Sequence, residues 1–268
     1  MGHHWVPWQR LLGATLGLLI LLKGVVLFQS WRAVKQSFSM PGLFLFMTIW
    51  PGMDPAPLHE RKTADPMAWR VILHGFVWIV NGLFLMVGLA WNASRLDKEM
   101  LGWAGVFAFL MMIHLGFCNV LAGFLRFKGW HVHRLFDQPF QSKSLGDFWG
   151  RRWNLAFVEM DRILFIKPLR RWFGLRGAIL GVFLISGFLH EMALSYPVQA
   201  GWGMPLSYFT LHGLLVLLEA HFFKMTRWPG VFARLWTWFW VIIPLPLLFH
   251  TPFRDGLIVP FFQNLNHL

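Results

Sequence analysis

Titratable side chains interrupt several long apolar runs of this sequence. His190 and Glu191 lie deep in the apolar run 177–197. A second group lies on one stripe of the next apolar run, 205–223, with spacings of four and seven residues: Tyr208, His212 and Glu219. Ionisable groups are costly in lipid, so such residues face protein or a cavity and are candidates for function.

A histidine in a low-dielectric site suits acid–base chemistry. Its neutral imidazole can accept a proton from a hydroxyl, and a base within hydrogen-bond reach accelerates attack by that hydroxyl by roughly 10²–10⁴-fold. The residues alone leave two interpretations of His190 open, a general base and a helix-packing residue. For His212 and Glu219 they favour an interhelical hydrogen bond, and for the isolated His74 and His114 they favour a packing role.

Other arrangements of histidine give weaker signals. His133 and Asp137 have the H-x-x-x-D spacing of a soluble acyltransferase motif, but Gln138 stands where that motif has glycine. His190-Glu191 lacks the second histidine of an H-E-x-x-H zinc site, and the chain has no P-loop and no Cys-x-x-Cys pair. The sequence therefore predicts no metal site and no cofactor.

The composition is that of a membrane protein. Hydrophobic residues make up 56% of the 268 residues and charged residues 13%, against about 25% charged in soluble domains. Apolar runs long enough to cross a bilayer recur along the chain: 11–28, 71–91, 101–124, 177–197, 205–223 and 235–250. A shorter run, 43–50, ends at Pro51-Gly52 and is a candidate for a re-entrant segment. The single cysteine, Cys118, excludes an intrachain disulfide.

These runs predict an all-α, polytopic integral membrane protein with roughly seven to eight transmembrane or interfacial helices. We find no sequence repeat and no soluble domain, so we interpret residues 1–268 as one membrane-embedded domain, whose motifs lie at about 136–220.

Positive charge predicts the orientation. The net charge is +12, and 17 of the 24 Lys and Arg residues fall in 59–70, 126–176 and 224–234, which the predicted spans place on one side. We therefore expect these basic loops to face the cytoplasm, where they meet anionic lipid or a phosphorylated substrate rather than nucleic acid.

The segment 148–164 has helical periodicity. A continuous helix would place an apolar set on one face: Trp149, Trp153, Ala156, Phe157, Met160 and Leu164. A charged set would share the other face: Arg151, Arg152, Glu159 and Arg162. This pattern predicts an amphipathic helix along the membrane surface, either as a plain anchor or as part of a site.

Three linked motifs resemble a known family. Residues 136–154 read Phe-Asp-Gln-Pro-Phe-Gln-Ser-Lys-Ser-Leu-Gly-Asp-Phe-Trp-Gly-Arg-Arg-Trp-Asn, and 186–191 read Ser-Gly-Phe-Leu-His-Glu. Residues 208–213 read Tyr-Phe-Thr-Leu-His-Gly, followed by Glu219. In order and spacing these resemble the wax synthase-like branch of the membrane-bound O-acyltransferase (MBOAT) superfamily. The resemblance covers about 136–220, and the chain is shorter than plant wax synthases.

The resemblance implies transfer of a fatty acyl group from acyl-CoA to a lipophilic alcohol within the membrane. It implies His190 as general base and Asn154 as its polar partner, with an amide that orients the imidazole or stabilises the oxyanion. The remaining candidates are assigned to substrate binding: Lys143, Trp149, Arg151, Arg152, Trp153, Glu191, Tyr208, His212 and Glu219. Of these, Lys143, Arg151 and Arg152 would bind the phosphates of acyl-CoA, which acts as co-substrate.

Two other classes of function remain open at this point. Intramembrane His and Glu could form the proton relay of a transporter, although we find no paired broken helices in two matching halves. A non-catalytic lipid-binding member of the same fold is the other alternative. The sequence does not identify the acyl acceptor, the acyl chain length or the oligomeric state.

Overall fold

The computed structural model describes residues 5–34, 39–223, 225 and 228–265. All regular secondary structure in these ranges is helical. Lys224 and Arg227, which belong to the third basic region, lie outside the described residues.

Fourteen α-helical elements are numbered in chain order: α1 Pro7–Val34, α2 Met40–Phe44, α3 Ala68–Trp91, α4 Lys98–Phe109, α5 Cys118–Phe127, α6 Leu145–Asp147, α7 Leu155–Leu164, α8 Ile166–His190, α9 Tyr196–Val198, α10 Met204–Phe222, α11 Gly230–Ile242, α12 Leu245–Leu248, α13 Thr251–Phe253 and α14 Val259–Leu265. Wider π-helical turns continue or link several of them: Leu45–Ile49, Leu110–Phe117, Phe148–Arg152, Glu191–Ser195 and Arg254–Ile258. Short 3₁₀ turns lie at Ala56–Leu58 and Pro139–Gln141.

Five helical stretches in the described ranges are long and apolar enough to cross a membrane: Pro7–Trp31, Ala68–Trp91, Lys98–Phe127, Ile166–Val198 and Gly230–Leu248. They correspond to five of the six predicted spans, and the polytopic all-helical fold is confirmed. The sixth predicted span, 205–223, is the helix α10, which has 19 residues but is not among the helices apolar enough to cross a membrane, and it buries His212 and Glu219 inside the protein. The total of roughly seven to eight helices stays a prediction.

The segment 39–58 forms a hairpin that is too short to cross a bilayer. Its apolar helical part, Met40–Ile49, has ten residues, or about 15 Å at 1.5 Å per residue, against a hydrocarbon core of about 30 Å. The two arms touch, because a Cβ on Gly42 would overlap the carbonyl oxygen of Leu58.

One buried and one half-buried charged side chain hold this hairpin, which we call hairpin 39–58. Lys23 of α1, 1% exposed, donates from Nζ to the carbonyls of Phe46 at 2.7 Å and Gly52 at 2.9 Å. Glu159 of α7 accepts from the N–H of Met53 at 2.7 Å and of Asp54 at 3.0 Å. The hairpin is thereby fixed between α1 and α7.

The helices α8 and α10 pack closely beside the polar stripe of α10. A Cβ on Gly187 would lie 2.9 Å from Leu206 Cδ1 and 3.0 Å from Leu206 Cα. Such small residues let two helix backbones approach closely within a membrane. The pair carries His190 at the end of one helix and His212 in the middle of the other.

The prediction of one continuous amphipathic helix over 148–164 is wrong. The π-helical turn Phe148–Arg152 ends at Trp153, and α7 starts afresh at Leu155. Backbone groups at the break bond to the neighbouring loop 135–137 and not within a helix. The Leu155 N–H donates to the Leu135 carbonyl at 2.9 Å, and the Asp137 N–H donates to the Arg152 carbonyl at 2.8 Å. Trp149 and Trp153 therefore do not continue the apolar face of α7.

Candidate functional site

A cavity of about 310 Å³ lies between α7, α8, α10 and the turn that precedes α7. We call it the first cavity. Aromatic and aliphatic side chains make up most of its wall, and a few polar groups enter it: Asn154, Asp161, Arg162, Ser186 and His190. His190 and Asn154, 36 residues apart in the sequence, therefore share one cavity.

The ring of His190 is held in one orientation. Its Nδ1 lies 2.7 Å from the carbonyl oxygen of Ser186, one turn earlier on α8. A carbonyl can only accept, so Nδ1 carries the proton, and in the neutral ring Nε2 keeps its lone pair. Ring centroids of Phe209 at 4.3 Å and Phe157 at 5.4 Å flank the imidazole. This arrangement leaves Nε2 as a base in an apolar setting.

Asn154 lies at the break that separates the π-helical turn from α7. Its backbone is left-handed, with φ 47° and ψ 59°, and its side chain makes no capping hydrogen bond to α7. Asparagine tolerates this conformation better than most residues. Because of this break, the side-chain amide of Asn154 lines the first cavity and does not cap α7.

The two tryptophans assigned to substrate binding also line this cavity. Trp149 Nε1–H donates to Nδ1 of His212 at 3.0 Å. Since His212 is fully buried and does not line the cavity, it orients Trp149 from behind. Trp153 stacks on Phe148, with ring centroids 5.5 Å apart.

The remaining polar residues of the stripe on α10 support the site from outside the cavity. Glu219 accepts from Leu145 N–H at 3.0 Å, Gly146 N–H at 3.2 Å and Trp236 Nε1–H at 2.8 Å. These bonds fix the start of α6, immediately before the π-helical turn that carries Trp149. The hydroxyl of Tyr208 donates to the Val241 carbonyl at 3.2 Å.

Glu191 follows His190 but points away from the first cavity. Its Oε1 accepts from the N–H of Gly203 at 2.9 Å and of Leu206 at 3.0 Å. These are free N–H groups of the first turn of α10, so the carboxylate caps that helix. Glu191 therefore stabilises the junction of α8 and α10 and does not line the first cavity.

The three cations assigned to phosphate binding do not line the cavity. Arg152 is paired with Asp147 at 2.8 Å and also donates to the Gln138 carbonyl at 3.3 Å. Arg151 and Lys143 are exposed. The lining cation is instead Arg162 of α7, whose side chain is also exposed.

Asp161 is a second group that the sequence reasoning missed. It lines the first cavity, is 9% exposed, and has no hydrogen-bond partner for Oδ1. Burial raises the pKa of Asp161 to about 7. Its position one turn before the end of a predicted amphipathic helix gave no signal, because the break at Asn154 decides which side of α7 meets the cavity.

A second cavity, of about 260 Å³, lies on the other side of Asn154 and Phe157, which line both cavities. Its other walls come from α1, from hairpin 39–58, from the π-helical turn Leu110–Phe117 with the start of α5, and from loop 135–137 and α7. In the described ranges, no group of three His, Cys, Asp or Glu side chains is placed to hold a metal ion.

Comparison with known proteins agrees with the motifs. Residues 132–211 match the membrane bound O-acyl transferase family. The chain is 36% identical over 101 residues to a long-chain-alcohol O-fatty-acyltransferase of Simmondsia chinensis, which is 34% of this chain and 28% of that protein. It is 31% identical over 144 residues to the probable long-chain-alcohol O-fatty-acyltransferase 6 of Arabidopsis thaliana, 48% of this chain and 41% of that protein.

A sterol-esterifying relative is similarly close. The chain is 29% identical over 137 residues to acyl-CoA–sterol O-acyltransferase 1 of Arabidopsis thaliana, which is 46% of this chain and 39% of that protein. The matches thus span between 28% and 41% of the lengths of these three relatives. Residues 132–211 are thus similar to the membrane-bound O-acyltransferase family, and the resemblance of the motifs to its wax synthase-like branch is confirmed.

Proposed function

We propose that this protein is an acyl-CoA-dependent O-acyltransferase that moves a fatty acyl group to the hydroxyl of a lipophilic alcohol, giving an ester of the wax or sterol type. The observation that carries the proposal is the first cavity, whose wall contains both His190 and Asn154. His190 has its Nε2 free, and the side-chain amide of Asn154 makes no capping hydrogen bond to α7. The names of the relatives supply the class of reaction.

In the proposed mechanism, His190 Nε2 removes the proton of the alcohol as its oxygen attacks the thioester carbonyl. The tetrahedral intermediate carries its negative charge on the former carbonyl oxygen, and the Asn154 amide donates a hydrogen bond to it. When the intermediate collapses, the carbon–sulfur bond breaks. The imidazolium then returns its proton to the departing thiolate, which leaves as CoA.

The walls of the first cavity suit this chemistry. Trp149, Trp153, Phe157, Phe183 and Phe209 are apolar neighbours for the acyl chain. Exclusion of water strengthens the hydrogen bonds around the reacting carbonyl and protects the thioester from hydrolysis.

The phosphates of CoA would bind at the cationic junction of α7 and α8. Arg162 lines the first cavity, and Lys167, Arg170 and Arg171 follow it as exposed side chains. Guanidinium groups match phosphate oxygens in geometry and charge. Because Arg152 is already paired with Asp147, Arg162 replaces it here as the principal candidate.

The test is ester formation by the purified protein with labelled dodecanoyl-CoA and a panel of alcohols and sterols, read by mass spectrometry. We expect His190→Ala to abolish the ester while acyl-CoA still binds. The matched control is His133→Ala, which removes an exposed histidine of the H-x-x-x-D spacing and should leave the rate unchanged.

Two results would contradict the proposal. Unaltered turnover in His190→Ala would remove this residue as the base. Binding of acyl-CoA without any ester, over the whole panel, would favour a non-catalytic lipid-binding protein. Proton movement across vesicles without an acyl substrate would favour the transporter.

A further inference from the structure

The second cavity has no role in the mechanism so far. Within its wall the side chains are uncharged, and most are aliphatic or aromatic, including Leu19, Met53, Ile113 and Met160. The first cavity, in contrast, has Asp161 and Arg162 in its wall. An uncharged and apolar ligand therefore suits the second cavity, whereas the donor with its phosphates suits the first.

Among the described residues, His114 is the one histidine in the wall of this second cavity. Its Nδ1 is buried without a hydrogen-bond partner, and neither ring nitrogen bonds to another described residue. A buried polar group without a partner is unfavourable unless a ligand or water satisfies it.

The ring of His114 is also held in place. It lies parallel to Trp153, with an interplanar angle of 5° and centroids 6.0 Å apart, and edge-on to Phe136 at 5.0 Å. Trp153 is at the same time a wall of the first cavity. His114 and His190 thus lie on opposite sides of a partition formed by Trp153, Asn154 and Phe157.

We propose that the second cavity binds the aliphatic chain of the alcohol and that a ring nitrogen of His114 hydrogen-bonds the alcohol oxygen. The inference rests on the proposed function, because it assigns the acceptor to one of two cavities that meet at Asn154. His114 acts as a positioning residue: it holds the oxygen at the partition, and His190 takes the proton from the other side.

The cysteine in the wall of the second cavity supplies a direct readout. Cys118 is the only cysteine of the chain, and it lines this cavity. Its labelling by methyl methanethiosulfonate, followed by mass spectrometry, reports whether the cavity is filled. No turnover is needed, so the measurement stays informative even if the protein transfers no acyl group.

Three probes separate the possibilities. 1-Dodecanol and dodecane compare the same chain with and without a hydroxyl. Dodecanoyl-CoA tests the donor. A reporter in the first cavity is V182C in a Cys118→Ser background, since Val182 lines the first cavity but not the second.

We expect 1-dodecanol to slow labelling of Cys118 at a concentration about 2- to 12-fold lower than dodecane, as a single hydrogen bond would give. In His114→Phe, which keeps an aromatic ring, the two probes should protect equally. His114→Gln, which retains a polar group, should restore part of the difference. Dodecanoyl-CoA should protect the thiol of V182C.

Equal protection of Cys118 by 1-dodecanol and dodecane in the unsubstituted protein would overturn the assignment. So would a full difference retained in His114→Phe, or protection of the V182C thiol by 1-dodecanol in place of Cys118. Protection of Cys118 with no ester in the transfer assay would instead reject the proposed function and leave the alcohol site standing.

Discussion

Asn154 combines a chemical and a conformational requirement in one residue. Its amide lines both cavities, and its backbone is left-handed at the break before α7. A β-carbon in this conformation costs roughly 1–2 kcal/mol for most residues, and glycine avoids that cost. Replacement by alanine would therefore mix the loss of the amide with backbone strain.

Two substitutions at this position separate these effects. We expect Asn154→Gly to lower kcat by about 10²–10³, as loss of one oxyanion donor does, with little change in apparent melting temperature. Asn154→Ala should show the same loss of rate and a lower melting temperature. A rate that stays normal in Asn154→Gly would show that the amide takes no part in the reaction.

The buried carboxyl of Asp161 predicts a stability that depends on pH. Burial raises the pKa of this carboxyl to about 7, whereas the unfolded chain releases the proton near 3.9. Between these values the native state binds more protons than the unfolded state, so stability falls as the pH rises through this window. Burial also raises the pKa of Glu159 to about 7, against the hydrogen bonds from Asp54 and Met53, and adds to the same trend.

The prediction is a lower apparent melting temperature at pH 8 than at pH 5, followed by circular dichroism in detergent. Asp161→Asn keeps the shape and removes the titration, so the fall should become smaller in this variant. If Asp161→Asn shows the full fall, the carboxyl is not buried as described.

The sequence predicts the two central residues of the candidate site by different routes. His190 stands out in the sequence because an ionisable side chain inside an apolar run is energetically costly in lipid and is therefore a candidate for function. Asn154 is an ordinary polar residue and was found through the motif alone. Asp161 and Arg162 were missed, because their access to the cavity depends on how the loop 135–137 breaks the helix.

At the scale of elements, the polar stripe of α10 is a support for the turn that carries Trp149. Glu219 accepts two hydrogen bonds from backbone N–H groups at the start of α6 and one from the indole N–H of Trp236. A carboxylate has only acceptors, which suits three donors. An amide in its place would bring an NH₂ group against at least one of them.

Glu219→Gln should therefore lower both stability and activity. We expect a loss of about 1–3 kcal/mol, the usual cost of an unsatisfied buried polar group, and a displaced Trp149 with slower turnover. Melting and ester assays on the same preparations measure the two effects. The matched control is Glu60→Gln, an exposed residue, which should change neither; equal behaviour of both variants would exclude the supporting role.

The helices themselves were largely predictable, and their interruptions were not. Length and apolarity located the five long spans. The π-helical turn ends at Trp153 because the backbone of Leu135 and Asp137 hydrogen-bonds to the residues on either side of the break. Leu135 and Asp137 lie outside the sequence window in which helical periodicity is judged. Periodicity at 148–164 therefore described the correct helix-forming residues but joined two pieces into one.

At the scale of the whole molecule, two of the basic segments, 59–70 and 126–176, are in contact. Asp65 pairs with Arg126 at 3.1 Å, and Lys62 N–H donates to the Gly129 carbonyl at 2.9 Å. At a different place Glu99 and Arg254 form an ion pair at 2.6 Å, between loops that the predicted spans assign to the opposite side. The pairing agrees with the alternation of charge along the sequence.

We predict that the end with Asp65 and Gly129 faces the cytoplasm, by the positive-inside rule. In a Cys118→Ser background, His133→Cys and Ser94→Cys report the two ends, and both positions are exposed. A membrane-impermeant maleimide should label H133C in inside-out vesicles and S94C in right-side-out vesicles. The reverse pattern would invert the orientation, and labelling of both in one preparation would contradict the predicted spans.

Trp149 and Trp153 form part of the wall of the first cavity. Binding of an acyl chain in this cavity can therefore be followed by tryptophan fluorescence. Indole fluorescence is quenched by bromine at short range, so an acyl chain brominated along its length would dim those two rings first. Comparison of Trp149→Phe and Trp153→Phe with substitution of the exposed Trp172 would show which brominated position of the acyl chain lies beside each of the two indole rings.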